Sequence, residues 1–146
     1  PRGHGPGVAP QKALTTLPLG KGEIRRTGSR IALLAFGSML APALEAGETM
    51  NATVANMRFV KPLDRALLRE LAFNHELLVT REEKAVIGGA GAEVSRSLEE
   101  QGLTTRLLRI GLPDRFTEHG DSVTLLAQLG LDARSIAERV KRAILE

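Results

Sequence analysis

The chain has 146 residues, about one domain's worth, with 42% hydrophobic and 25% charged residues and a formal net charge of +3. That balance excludes a disordered or fibrous class, and the longest apolar run, residues 31–36, is far short of the ~20 residues that cross a bilayer. Cysteine, tryptophan and tyrosine are absent, which removes disulfides, thiolate metal sites, a cysteine nucleophile and most base-stacking chemistry.

The 20 basic and 17 acidic residues are interspersed. The pI of 9.8 therefore comes without the dense basic stripe that nucleic acid requires, and no nucleic-acid or membrane partner is expected. The first ten residues, opening Pro1-Arg2-Gly3-His4, hold three glycines and three prolines. Such a stretch cannot lie inside a helix or a central strand. It lacks the charged-then-apolar order of a signal peptide and reads as an interdomain linker of something larger.

Residues 22–26, punctuated by Gly20, Gly22 and Gly28, predict a short edge strand. The run 31–36, ending at Gly37, suits a strand buried on both faces. Ser38 is the expected N-cap of a helix through about Met50, with Leu40, Ala43, Leu44 and Gly47 on one face and Gly47 its weak spot. A strand is expected over 53–57, then a helix opened by Pro62 and Asp64, with a stripe of Leu63, Leu67 and Leu71. Residues 77–80 predict a short buried strand, and Ala90, Val94 and Leu98 a helix stopped at Gly102. A last strand is expected over 106–110, closed by Gly111 and Pro113. Asp121 and Asp132 read as N-caps of two final helices. The second carries an Ile136, Val140, Ile144 stripe and an outer Glu138–Arg142 pair. This alternation predicts an open, mainly parallel α/β sheet of about five strands with helices on both faces.

Few residues suggest chemistry. The cluster Gly88-Gly89-Ala90-Gly91 lies between a strand and a helix, where backbone amides can hold an anion. A dinucleotide fingerprint read from Gly89 fails at Val94, no phosphate-loop motif exists, and close packing is the favoured account. Glu82 and Glu83 are adjacent at a strand end. Their side chains point to opposite faces, so capping or surface hydrogen bonding is expected rather than an acid–base pair. Asp114, Glu118 and His119 share a loop without a helical two-ligand spacing, which favours a structural loop over a metal site. His75 reads as a strand-boundary residue, His4 has no activating neighbour, and Ser38 lies outside any nucleophile elbow. No catalytic centre emerges.

An ordered set of motifs nevertheless resembles the C-terminal domain of the 1-deoxy-D-xylulose-5-phosphate synthases, in the transketolase superfamily. It comprises Pro1-Arg2-Gly3, Leu17-Pro18-Leu19-Gly20-Lys21-Gly22, Met57-Arg58-Phe59-Val60-Lys61-Pro62-Leu63-Asp64, His75-Glu76, Glu82-Glu83, Gly88-Gly89-Ala90-Gly91, Ile110-Gly111-Leu112-Pro113-Asp114, Glu118-His119-Gly120 and Leu129-Gly130-Leu131-Asp132. The resemblance implies a thiamine-diphosphate- and magnesium-dependent transferase that condenses pyruvate with D-glyceraldehyde 3-phosphate and releases carbon dioxide. It implies residues 1–22 as linker and tail of a preceding pyrimidine-binding domain, and 23–146 as a third domain giving packing and homodimer contacts. The cofactor then lies in other domains, the location is cytoplasmic (or a plastid), and this piece alone is inactive. Arg2 matches a family arginine at the sugar-phosphate end of the substrate, while His4 stands where family members often have asparagine. The alternatives are another transketolase-like enzyme, such as a 2-oxoacid dehydrogenase β subunit, or a freestanding module binding a small anion at Gly88 to Gly91.

Overall fold

In the computed structural model, which describes residues 15–117 and 119–145, the organising element is the strand β2, Ile31–Ala35. All five of its residues are buried. Alternate side chains leave a strand on opposite faces, so Ile31, Leu33 and Ala35 enter one core, and Ala32 and Leu34 the other. Five strands, β1 (Glu23–Arg26), β2, β3 (Thr53–Asn56), β4 (Leu77–Ala85) and β5 (Arg106–Leu112), form one sheet in the order β1-β3-β2-β4-β5. β2 pairs in parallel with β3 and β4, and β4 with β5, whereas β1 runs antiparallel along β3.

The helices α1 (Leu40–Met50), α2 (Arg65–Asn74), α3 (Ala90–Glu100), α4 (Ser122–Gln128) and α5 (Ala133–Leu145) cover both faces. Ala43 and Ala46 of α1 join Ile136 and Val140 of α5 in one core. Leu68 and Leu71 of α2 join Val94 and Leu98 of α3 in the other. From β2 the chain crosses to β3 on one side, then passes back beyond β2 to β4. Right-handed crossovers in opposite directions require α1 and α2 on opposite faces, as they are. The expected α/β architecture is the one observed.

Several local expectations need correction. Ser38 does not cap α1: a 3-10 turn over Gly37–Met39 precedes the helix, Met39 is its N-cap residue, and no side chain caps it. Gly47 does not end α1, which continues to Met50 and stops at Asn51 in the left-handed conformation. The stripe Leu63, Leu67 and Leu71 does pack into one core, with Leu63 just before the helix and Leu67 half-buried, and Leu68 and Ala72 widen that face beyond the expected stripe. β4 runs past Thr80 to Ala85, and β5 past Ile110 to Leu112. Glu138 pairs with Arg134 at 3.1 Å, one turn toward the helix start, rather than with Arg142. Asp64, Asp121 and Asp132 do cap: each carboxylate accepts a backbone N–H three residues on, from Leu67, Thr124 and Ser135.

Candidate functional site

Ligand sites of open α/β sheets gather at the carboxyl ends of the strands, where the chain's winding reverses. Here that point lies between β2 and β4. Its walls are the 3-10 turn after β2, the end of β4, and the glycine turn that leads into α3.

Glu82 and Glu83 separate there as the alternation of a strand requires. Glu82 is 3% exposed. Its two oxygens accept the N–H groups of Ala90, at 2.6 Å, and Gly91, at 2.8 Å. A carboxylate thus fills the positive end of α3, satisfying two amides that have no partner within the helix. Glu83 is exposed and accepts the hydroxyl hydrogen of Ser38, which closes the crevice between the two strand ends.

The glycine turn is shaped by this arrangement. A Cβ on Gly89 would stand 2.1 Å from Glu82 Oε2, and one on Gly91 would stand 2.6 Å from Thr80 Oγ1. The chain therefore comes closer to β4 than any side chain allows. Close packing, rather than a cradle for an external phosphate, accounts for these glycines. Outside the turn, an open cleft of about 430 Å³ is lined by Lys61, Glu93 and Arg96 among others. Arg96 is bound to Glu93 at 2.6 Å and also to Glu100. Its hydrogen bond, with a smaller charge contribution from Lys61, holds the Glu93 carboxyl below the usual range. The guanidinium of this cleft, Arg96, therefore already has carboxylate partners.

Beneath the crevice lies Arg81, 1% exposed. Its Nη2 donates to the carbonyl of Leu131. Burial pushes the guanidinium down to about 10, against the opposite pull of Asp132 and Glu45. Sequence reading passed over Arg81, since an arginine among short apolar runs looks like a strand end. His75 is the boundary residue expected: Nδ1 lies 2.9 Å from Leu71 O and Nε2 lies 2.8 Å from Thr53 Oγ1. Asp114 and His119 are exposed in the loop after β5. Arg2, His4 and Glu118 lie outside the described residues. No group of three or more His, Cys, Asp or Glu side chains stands together to hold a metal ion among the described residues. No helix among them is long and apolar enough to cross a membrane.

A sequence profile described as "Transketolase, C-terminal domain" matches residues 20–136. The chain belongs to the transketolase C-terminal domain family. It is 62% identical over 141 residues to a 1-deoxy-D-xylulose-5-phosphate synthase of Azoarcus sp. (strain BH72), and 57% identical to one of Nitrosomonas europaea. In both cases the match spans 97% of this chain and 23% of the relative, so the chain spans about a quarter of the length of the curated relatives it matches. Among solved structures, a split-gene transketolase shares 34% identity with a TM-score of 0.83, over 90% of this chain and 44% of that one. A transketolase from Pichia stipitis, 14% identical with a TM-score of 0.60 over 84% of this chain and 18% of that one, shares the fold. The five-stranded sheet and its helices are those of a transketolase C-terminal domain.

Proposed function

We propose that this transketolase C-terminal domain is the third domain of a 1-deoxy-D-xylulose-5-phosphate synthase, a thiamine-diphosphate-dependent transferase joining pyruvate to D-glyceraldehyde 3-phosphate with loss of carbon dioxide. The observation that carries this reading is identity of 54% to 62% along 97% to 99% of the chain with proteins of that name. The residues described here do not fit the cofactor themselves. The amides at the start of α3 are taken by Glu82, and the described side chains form no metal-binding cluster. No reaction step is therefore assigned to them; thiamine diphosphate and magnesium are held by the rest of the enzyme.

In this reading residues 23–146 brace the catalytic domains and contribute to a homodimer in the cytoplasm, while residues 1–22 are linker and the tail of the preceding pyrimidine-binding domain. Two features support a packing role. Ile87 after β4 and Phe116 after β5 are large exposed apolar side chains at the carboxyl end of the sheet. The split-gene transketolase is described as an inactive beta4 tetramer, so a subunit with this domain associates without being active. Arg2 reaches the phosphate of D-glyceraldehyde 3-phosphate, for which a guanidinium is an apt bidentate donor.

The test is a chimera in which this chain replaces the matching C-terminal part of the Azoarcus relative, assayed for 1-deoxy-D-xylulose 5-phosphate from the two substrates. The chimera is expected to turn over, and Arg2→Ala within it to raise KM for D-glyceraldehyde 3-phosphate roughly tenfold or more while KM for pyruvate stays put. A folded, dimeric chimera that makes no product overturns the function. An unchanged KM removes Arg2 from the substrate.

A further inference from the structure

Side chains at alternate positions of β4 share a face. Arg81 therefore leaves the sheet with Leu77 and Val79, on the side covered by α1 and α5. Among the described residues its guanidinium makes one hydrogen bond, to Leu131 in the link between α4 and α5. Nε and Nη1 are buried with no hydrogen-bond partner among the described residues, and Asp132 and Glu45 act on the guanidinium only through space. A buried cation with unmade N–H bonds opposes the closure that buries it, because water would satisfy those donors. Leu131, Ile136 and Val140, all at most 1% exposed, hold α4 and α5 down against that cost.

We propose that residues 121–145 form a cap that lifts from the sheet as a unit, uncovering Arg81 midway along β4 while the rest of the fold stays closed. The opening is a sub-global one in which α4, the Leu131 link and α5 move together. Its free energy is set by apolar contacts on one side and by hydration of a single guanidinium on the other.

Hydrogen exchange read by mass spectrometry on the 146-residue chain tests this. Amides of 133–145 are expected to lose protection together, ahead of those of 31–35 and 77–81. Arg81→Met keeps the length of the side chain and removes the charge. It is expected to slow the opening of 121–145 by about tenfold, with exchange in α3 unchanged. Val140→Ala leaves Arg81 in place and removes part of the apolar hold, so it should speed the same opening about tenfold or more, again sparing α3. Faster exchange of α5 in Arg81→Met would make the guanidinium a clamp and overturn the proposal. Exchange of α5 only in the event that also frees β2, or equal acceleration of α3 in Val140→Ala, would overturn it too.

Discussion

A carboxylate only 3% exposed persists in this domain because two backbone amides of α3 point at it. Glu82→Ala leaves both donors buried and unpaired, which costs about 2–3 kcal/mol, whereas Glu82→Gln can still accept one of them and should cost about half as much. Urea unfolding of the two variants separates these outcomes. Equal losses, or a loss below roughly 0.5 kcal/mol in both, would show that the cap does not hold the turn. That Glu82 and Glu83 face opposite ways was legible from strand alternation alone. That they serve as a helix cap and a surface hydrogen bond was also expected; which helix start and which hydroxyl they meet was not, since each partner arrives from another element. Arg81 was illegible for the same reason: its acceptor is Leu131, fifty residues on.

Helix starts were read well where an aspartate stood at the N-cap, because that signal is local: the carboxylate bonds an amide three residues away. Asp64 goes further than its sequence position indicates. Its second oxygen accepts the N–H of Gly22 at 3.1 Å, and Lys21 Nζ lies 3.7 Å from the capping oxygen, so the cap of α2 also ties down the approach to β1. Asp64→Ala is accordingly expected to cost about 2 kcal/mol, at the upper end for a cap, and to loosen residues 20–24 along with the first turn of α2. A lowered melting temperature with unaltered exchange at 20–24 would restrict Asp64 to its helix. Ser38 was misplaced because an N-cap signal cannot reveal the 3-10 turn that intervenes where β2 delivers the chain at the carboxyl end of the sheet. The length of β4 was underestimated because hydropathy stops at Thr80, while the strand continues on the polar residues Arg81 to Lys84.

The whole molecule should weaken in acid through its carboxylates. The Arg30 hydrogen bond lowers Glu76, that of Arg96 lowers Glu93, and that of Ser135 lowers Asp132. A carboxyl held lower in the folded chain than in the unfolded one adds stability that is complete above its unfolded value and is lost as pH falls through the folded one. The loss therefore falls below the ordinary glutamate and aspartate values of 4.5 and 3.8. The urea midpoint should drop as pH falls below the glutamate value of 4.5, and drop less steeply in Arg96→Gln. About 0.5 M salt should shrink the share of the exposed arginine pairs and leave that of Asp132 nearly intact. An identical acid profile in Arg96→Gln would show that its pairs with Glu93 and Glu100 add nothing. At this scale the sequence by itself determined the α/β class, the strand–helix alternation, the apolar central strand and the ordered motifs of the family, because each is written in short-range periodicity or in side chains local to one turn. Only the tertiary structure decided which polar groups could be buried. Glu82, Arg81 and the Ser38–Glu83 contact depend on partners brought together by crossovers of the chain, and no local pattern records the distance between groups that meet only when the sheet is complete.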